Sequence, residues 1–130
     1  MIDHVSFRVS NIEKSIEFYT KALAPLGYKR FEGDFDGAAG FGKDHAGENS
    51  GHLWVFEEGN LKTISVAHVA FAAKDTQMVQ AFYEAAIAAG GVDNGAPGVR
   101  PEYGNQYYGA FVFDPDGNNI EATCFVGSDQ

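Results

Sequence analysis

Cysteine is nearly absent: Cys124 stands alone among 130 residues, so no disulfide can close within the chain. Basic residues are also scarce. Nine Lys plus Arg face eighteen Asp plus Glu, a formal charge of −9, and a field of that sign repels phosphate backbones and anionic headgroups. Nucleic acid and membrane surfaces are therefore poor partners, and neither is expected. No apolar run approaches the roughly 20 residues that cross a bilayer. Met1 leads straight into a strand-like segment without the charged, apolar and cleavage regions of a signal peptide, and the expectation is a cytoplasmic protein. What is present is apolar: hydrophobic residues make up 45% and aromatics 14% of the chain, enough to offset ordering entropy, so residues 1–130 are expected to form one domain.

The chain repeats itself. Shifted by 64 residues, His4 to Gly27 lies on His68 to Gly91 without a gap, with eight identities in 24 positions: His4 with His68, Val5 with Val69, Phe7 with Phe71, Phe18 with Phe82, Tyr19 with Tyr83, Ala22 with Ala86, Ala24 with Ala88 and Gly27 with Gly91. This pattern predicts a duplicated supersecondary unit, one copy over about 1–60 and the other over about 64–126. Each copy opens with a strand whose alternation places His4, Ser6 and Arg8, or His68, Ala70 and Ala72, on one face and the more apolar residues on the other. A helix follows. Ser10 with Glu13 has capping-box spacing, Asp75 is the expected cap of the second helix, and Gly27 and Gly90-Gly91 supply stops.

The remainder reads as strands: Tyr28 to Phe31, Ala38 to Phe41, Leu53 to Glu57, Tyr107 to Phe113 and Ile120 to Val126. The last two flank the turn Asp114-Pro115-Asp116-Gly117. Lys43 to Gly51, with His45, reads as a polar mobile loop, and Val92 to Tyr103 as a Gly/Pro-rich segment with at most one short strand, able to lie over a site. The expected fold is α+β: two tandem βαβββ modules forming a cupped sheet with helices on its outer face.

Glu121 shares a face with Asn119 and Thr123, opposite Ile120, Ala122 and Cys124. If those apolar residues pack on a helix, Glu121 points to the same side as His4 and His68. Two imidazoles and one carboxylate with open positions form a divalent-metal set suited to Fe, Mn, Ni or Zn. The competing reading makes the histidines hydrogen-bonded structural residues and the glutamate a solvated one.

His4-Val5-x-x-x-Val9, His68-Val69-x-Phe71, the Phe-Tyr pairs of both helices and Asp114-Pro115-Asp116-Gly117-Asn118-Asn119-Ile120-Glu121 resemble the vicinal oxygen chelate superfamily, also called glyoxalase/bleomycin resistance/extradiol dioxygenase, over essentially the whole chain. The resemblance implies that His4, His68 and Glu121 bind one divalent ion. It also implies that the ion chelates vicinal oxygens of a small organic substrate, in lyase, isomerase or oxygenase chemistry. Relatives of this length are commonly homodimers whose sites combine both subunits, so His4 of one chain is expected beside His68 and Glu121 of the other. A fourth ligand in glyoxalase I-like relatives sits on the last strand of the first half. Trp54, which cannot ligate, falls there in the best register and would line a pocket; His52 falls there if the register slips. Ser6, Arg8, Arg100, Tyr103, Tyr107 and Phe111 are further candidates for the substrate pocket, and the two arginines could anchor a carboxylate. The C-terminal segment lacks the basic residues of the fosfomycin-type transferases, so phosphonate recognition is not expected. The runner-up function is non-catalytic binding or antibiotic sequestration of the bleomycin-resistance type.

Overall fold

The computed structural model describes residues 3–43, 51–58, 66–104 and 106–126. His45 and most of its predicted polar loop lie outside the described residues. The element order is β1 (His4–Val9), α1 (Ile12–Leu23), β2 (Tyr28–Arg30), β3 (Ala38–Lys43), β4 (His52–Glu57), then β5 (His68–Ala72), α2 (Thr76–Ala88), β6 (Val92–Val99), β7 (Tyr107–Phe113) and β8 (Asn119–Phe125). These are two tandem βαβββ modules. They form two four-stranded sheets, β1-β4-β3-β2 and β5-β8-β7-β6, each with its first strand parallel to its last.

The duplicated pattern works through burial. Val9, Leu53 and Val55 of the first module and Phe71, Ile120 and Ala122 of the second are buried in one core with Phe18, Tyr19, Leu23, Val79 and Phe82 of the helices. The helices also pack against each other, so the two modules share that core. The opposite face of each sheet is left uncovered by helices, and it carries His4, Ser6 and Trp54 in one module and His68 and Glu121 in the other. β1 and β5 are edge strands, each paired on one side only among the described residues.

Two local expectations change. Asn11, not Ser10, caps α1: its side chain accepts from Lys14 N at 3.0 Å. Ser10 is engaged elsewhere, its backbone N–H donating to both oxygens of Asp116 at 3.1 Å, a contact 106 residues away in sequence that no local pattern encodes. The Gly/Pro-rich stretch holds a strand of eight residues, β6, rather than at most a short one. It tolerates Gly95, Pro97 and Gly98 because it is an edge strand with register shifts at Asp93/Gly95 and Gly95/Gly98, where no regular ladder bond is needed. Asp75 caps α2 as expected, accepting from Met78 N at 2.9 Å, and Gly27 ends the turn after α1 at φ +86°.

The turn between β7 and β8 is held from within. Asp114 is 4% exposed, and its carboxylate accepts from the backbone N–H of Asp116 and Asn118 and from the Asn118 side chain. Tyr19 Oη adds a fourth donor at 2.5 Å, tying the first module's helix to the second module's hairpin.

Candidate metal centre

Parallel pairing of β5 with β8 puts Ala70 beside Glu121 and His68 beside Asn119, so His68 and Glu121 share the open face two residues apart in register. Glu121 is 2% exposed, yet it faces a cavity of about 610 Å³. His68 Nε2 lies 2.9 Å from Glu121 Oε1, and Tyr107 Oη donates to Oε2. Gly109 makes this possible: a Cβ there would stand 3.1 Å from Oε2 and 3.3 Å from the Tyr107 ring. Burial, and next the bond to Glu121, push the Tyr107 hydroxyl above its ordinary range, so it remains a protonated donor at neutral pH.

The same cavity takes in Arg100, Tyr103, Tyr107 and Phe111, four of the residues expected at the pocket. Asn94, Glu102 and Asn119 line it as well, and sequence reasoning had not singled them out. Asn119 was legible in principle, since it alternates with Glu121 on β8. Asn94 and Glu102 depend on the bulged path of β6 and the 3-10 turn after it, for which no periodic signal exists.

His4 stands apart. It lines a second cavity, of about 320 Å³, with Ser6, Phe35, Ala38, Trp54 and Phe56. Ser6 pairs in register with Trp54, whose ring packs against Phe31 and Phe35 at centroid distances of 5.7 and 5.1 Å and lies over Gly40. His52 pairs with His4, but its ring packs on Phe31 at 4.8 Å and it lines a different crevice, with Tyr28 and Phe71. Trp54 and Phe56 are thus the β4 residues in the His4 cavity, and His52 is not among them. Arg8 lines neither cavity; it is exposed and 3.5 Å from Glu58. Among the described residues, no three His, Cys, Asp or Glu side chains of one chain are grouped to hold an ion. A single chain therefore brings His68 and Glu121 together and leaves His4 elsewhere.

The donor chemistry of these residues fits a divalent ion. Nε2 of His68 and Oε1 of Glu121 are near enough for one ion, about 2.0 to 2.2 Å from each, to bind both. Ligation would use the Nε2 lone pair, which a proton on that nitrogen would occupy. His4 Nδ1 is 2.7 Å from Asp3 Oδ1, a carboxylate contact of the kind that orients a ligating imidazole so that Nε2 can face an ion.

Comparison with known proteins follows the same lines. A glyoxalase/bleomycin resistance protein from Albidiferax ferrireducens T118 is 27% identical over 95% of this chain and 97% of its own, with a TM-score of 0.76. A glyoxalase/bleomycin resistance protein/dioxygenase family enzyme from Burkholderia phytofirmans PsJN is 18% identical, over 93% of this chain and 95% of that one, with a TM-score of 0.71. A glyoxalase-related enzyme from Fulvimarina pelagi is 19% identical, over 95% and 86%, with a TM-score of 0.69. No curated protein matches the chain. The model of the Glyoxalase/Bleomycin resistance protein/Dioxygenase superfamily matches residues 1–122, nearly the full length, and this chain belongs to that superfamily.

Proposed function

We propose that this protein is a small metal-dependent enzyme that binds neighbouring oxygens of a small organic substrate, with His4, His68 and Glu121 holding one divalent ion of the Mn, Fe, Ni or Zn type. The observation that carries this reading is the Glu121 carboxylate. A buried carboxylate is costly unless its lone pairs are used, and here one oxygen takes the Tyr107 hydroxyl while the other faces an imidazole across an open cavity. The bound ion would supply Lewis-acid stabilisation of negative charge developing on substrate oxygen, the shared start of lyase, isomerase and oxygenase chemistry. Glu121 would offset part of the ion's charge, Tyr107 fixes the carboxylate's orientation, and Asp3 orients the His4 ring.

The site is completed by a second copy of the chain. His4 lies on the edge strand β1 and His68 on the edge strand β5, and neither edge is paired within the chain among the described residues. A twofold partner laid along both edges would satisfy their backbone groups and bring His4 of one subunit to His68 and Glu121 of the other, giving two equal sites. A chain without disulfides suits a reducing compartment, and we assign it to the cytoplasm. No helix among the described residues is long and apolar enough to cross a membrane.

The test is elemental analysis of purified protein beside sedimentation. Near-stoichiometric transition metal, a dimer, and loss of most of the metal in folded His68→Ala and Glu121→Gln variants are expected. Full metal occupancy in either variant would refute the site.

A further inference from the structure

Arg100 is held in a way that a surface arginine is not. It follows the bulged strand β6, and the two register shifts in that strand lie at the residues that surround its guanidinium. A Cβ on Gly98 would come within 2.9 Å of Nη1, and one on Gly95 within 3.2 Å of Nη2, so a side chain at either position would push the guanidinium from its present place. Nη2 donates to the Ala96 carbonyl at 2.6 Å, and the guanidinium carbon sits 5.5 Å from the centre of the Phe111 ring. Bulges of this kind re-aim side chains beside functional sites, and the ring contact stabilises the cation without neutralising it.

The charge is left open. No carboxylate of the described residues lies within ion-pair distance of Arg100, although the chain has twice as many acidic as basic residues. Arg100 is also the one Lys or Arg among the residues lining the Glu121 cavity, where Glu102 and Glu121 are the acids. An anion entering that cavity meets a single cation with a planar pair of donors. One carboxylate matches that fork in shape and charge. A phosphate dianion would bring a second negative charge beside two glutamates.

We propose that Arg100 is the anion anchor of the cavity and that the substrate is a small organic monocarboxylate. The inference deepens the oxygen-binding reading above by naming its substrate class. It is testable without the metal, because the anchor belongs to the protein.

The experiment measures binding by calorimetry or NMR titration of the full-length protein in excess EDTA, so that no ion can bind the carboxylate instead. The probes are lactate, mandelate and salicylate, each against its neutral amide, with inorganic phosphate as a further arm. At least one acid should bind about tenfold to a hundredfold more tightly than its amide, the range expected for a charge-assisted hydrogen bond. Arg100→Gln should abolish that preference, the acid losing about tenfold to a hundredfold more affinity than its amide, and Arg100→Lys should keep part of it. If Arg100→Gln does not fold, the acid-to-amide ratio of the unaltered protein and its reduction in Arg100→Lys decide the matter. No acid preferred over its amide, an Arg100→Gln variant that keeps the preference, an Arg100→Lys variant that matches the unaltered protein, or tighter binding of phosphate than of every acid would each overturn the proposal. Metal content is measured in the same preparations before EDTA is added. Its absence would sink the metalloenzyme reading alone, and a missing acid preference would sink the carboxylate anchor alone.

Discussion

Tyr107 and Glu121 face one another across the β7 and β8 ladder, four residues out of direct register, and the phenol donates to a carboxylate that is 2% exposed. A glutamate this deeply buried is fixed by what touches it. Tyr107→Phe should therefore keep the fold and lower metal affinity about 10- to 100-fold, the usual effect of removing a partner that orients a ligand. Competition with a chromophoric chelator measures it; an affinity equal to that of the unaltered protein would make Tyr107 a packing residue only.

His4 and Glu121 line different cavities of one chain, so defects in them should complement each other. A folded His4→Ala chain and a folded Glu121→Ala chain, each without metal, should on mixing and subunit exchange recover one complete site per heterodimer. Exchange shown by mass spectrometry with no recovered metal would place the site within a single chain.

Trp54 is the sole tryptophan, and Gly40 lies beneath it, where a Cβ would come within 2.7 Å of three ring atoms. Gly40→Ala should move the indole, shift its emission and cost about 1 to 3 kcal/mol of stability, the range for overpacking. Trp54→Phe should leave metal content unchanged, because the indole lines the cavity and has no lone pair to offer. Unchanged emission in Gly40→Ala, or metal lost with Trp54→Phe, would contradict this placement.

The bond between Tyr19 and Asp114 predicts a pH dependence. Burial first, and the Asp114 carboxylate next, raise the Tyr19 hydroxyl well above its ordinary value of 10.0. The folded state thus holds this proton more tightly than the unfolded chain does. Its contribution is complete below the unfolded value and is lost as pH rises through the folded one. Urea unfolding should show stability falling above pH about 10, less steeply in Tyr19→Phe. That variant should also lose about 1 to 3 kcal/mol at neutral pH, since Asp114 is left one donor short. Equal slopes for the two proteins would show that Tyr19 does not carry the effect.

The repeat, the element order apart from the length of β6, and the faces of β1, β5 and β8 were legible from the sequence, because the periods of strands and helices are local properties of the backbone. His68 and Glu121 could be placed on one face by alternation once the apolar rows of their strands were taken to pack on helices, and Asp75 and Gly27 could be read as helix boundaries from their own chemistry. Alternation tells which face a residue occupies, not where one sheet stands relative to another. That relation is decided by α1 packing on α2 and by the joint core of both modules. It puts His4 and His68 in separate cavities of one chain, although their positions in the repeat are equivalent. The partner of the Ser10 backbone N–H and the donor on Glu121 likewise come from Asp116 and Tyr107, brought in by distant chain. Arg100 gains its cradle only when β6 bulges against β7. Contacts of this range depend on how finished elements pack together, so the sequence supplied the residues and tertiary packing decided which of them meet.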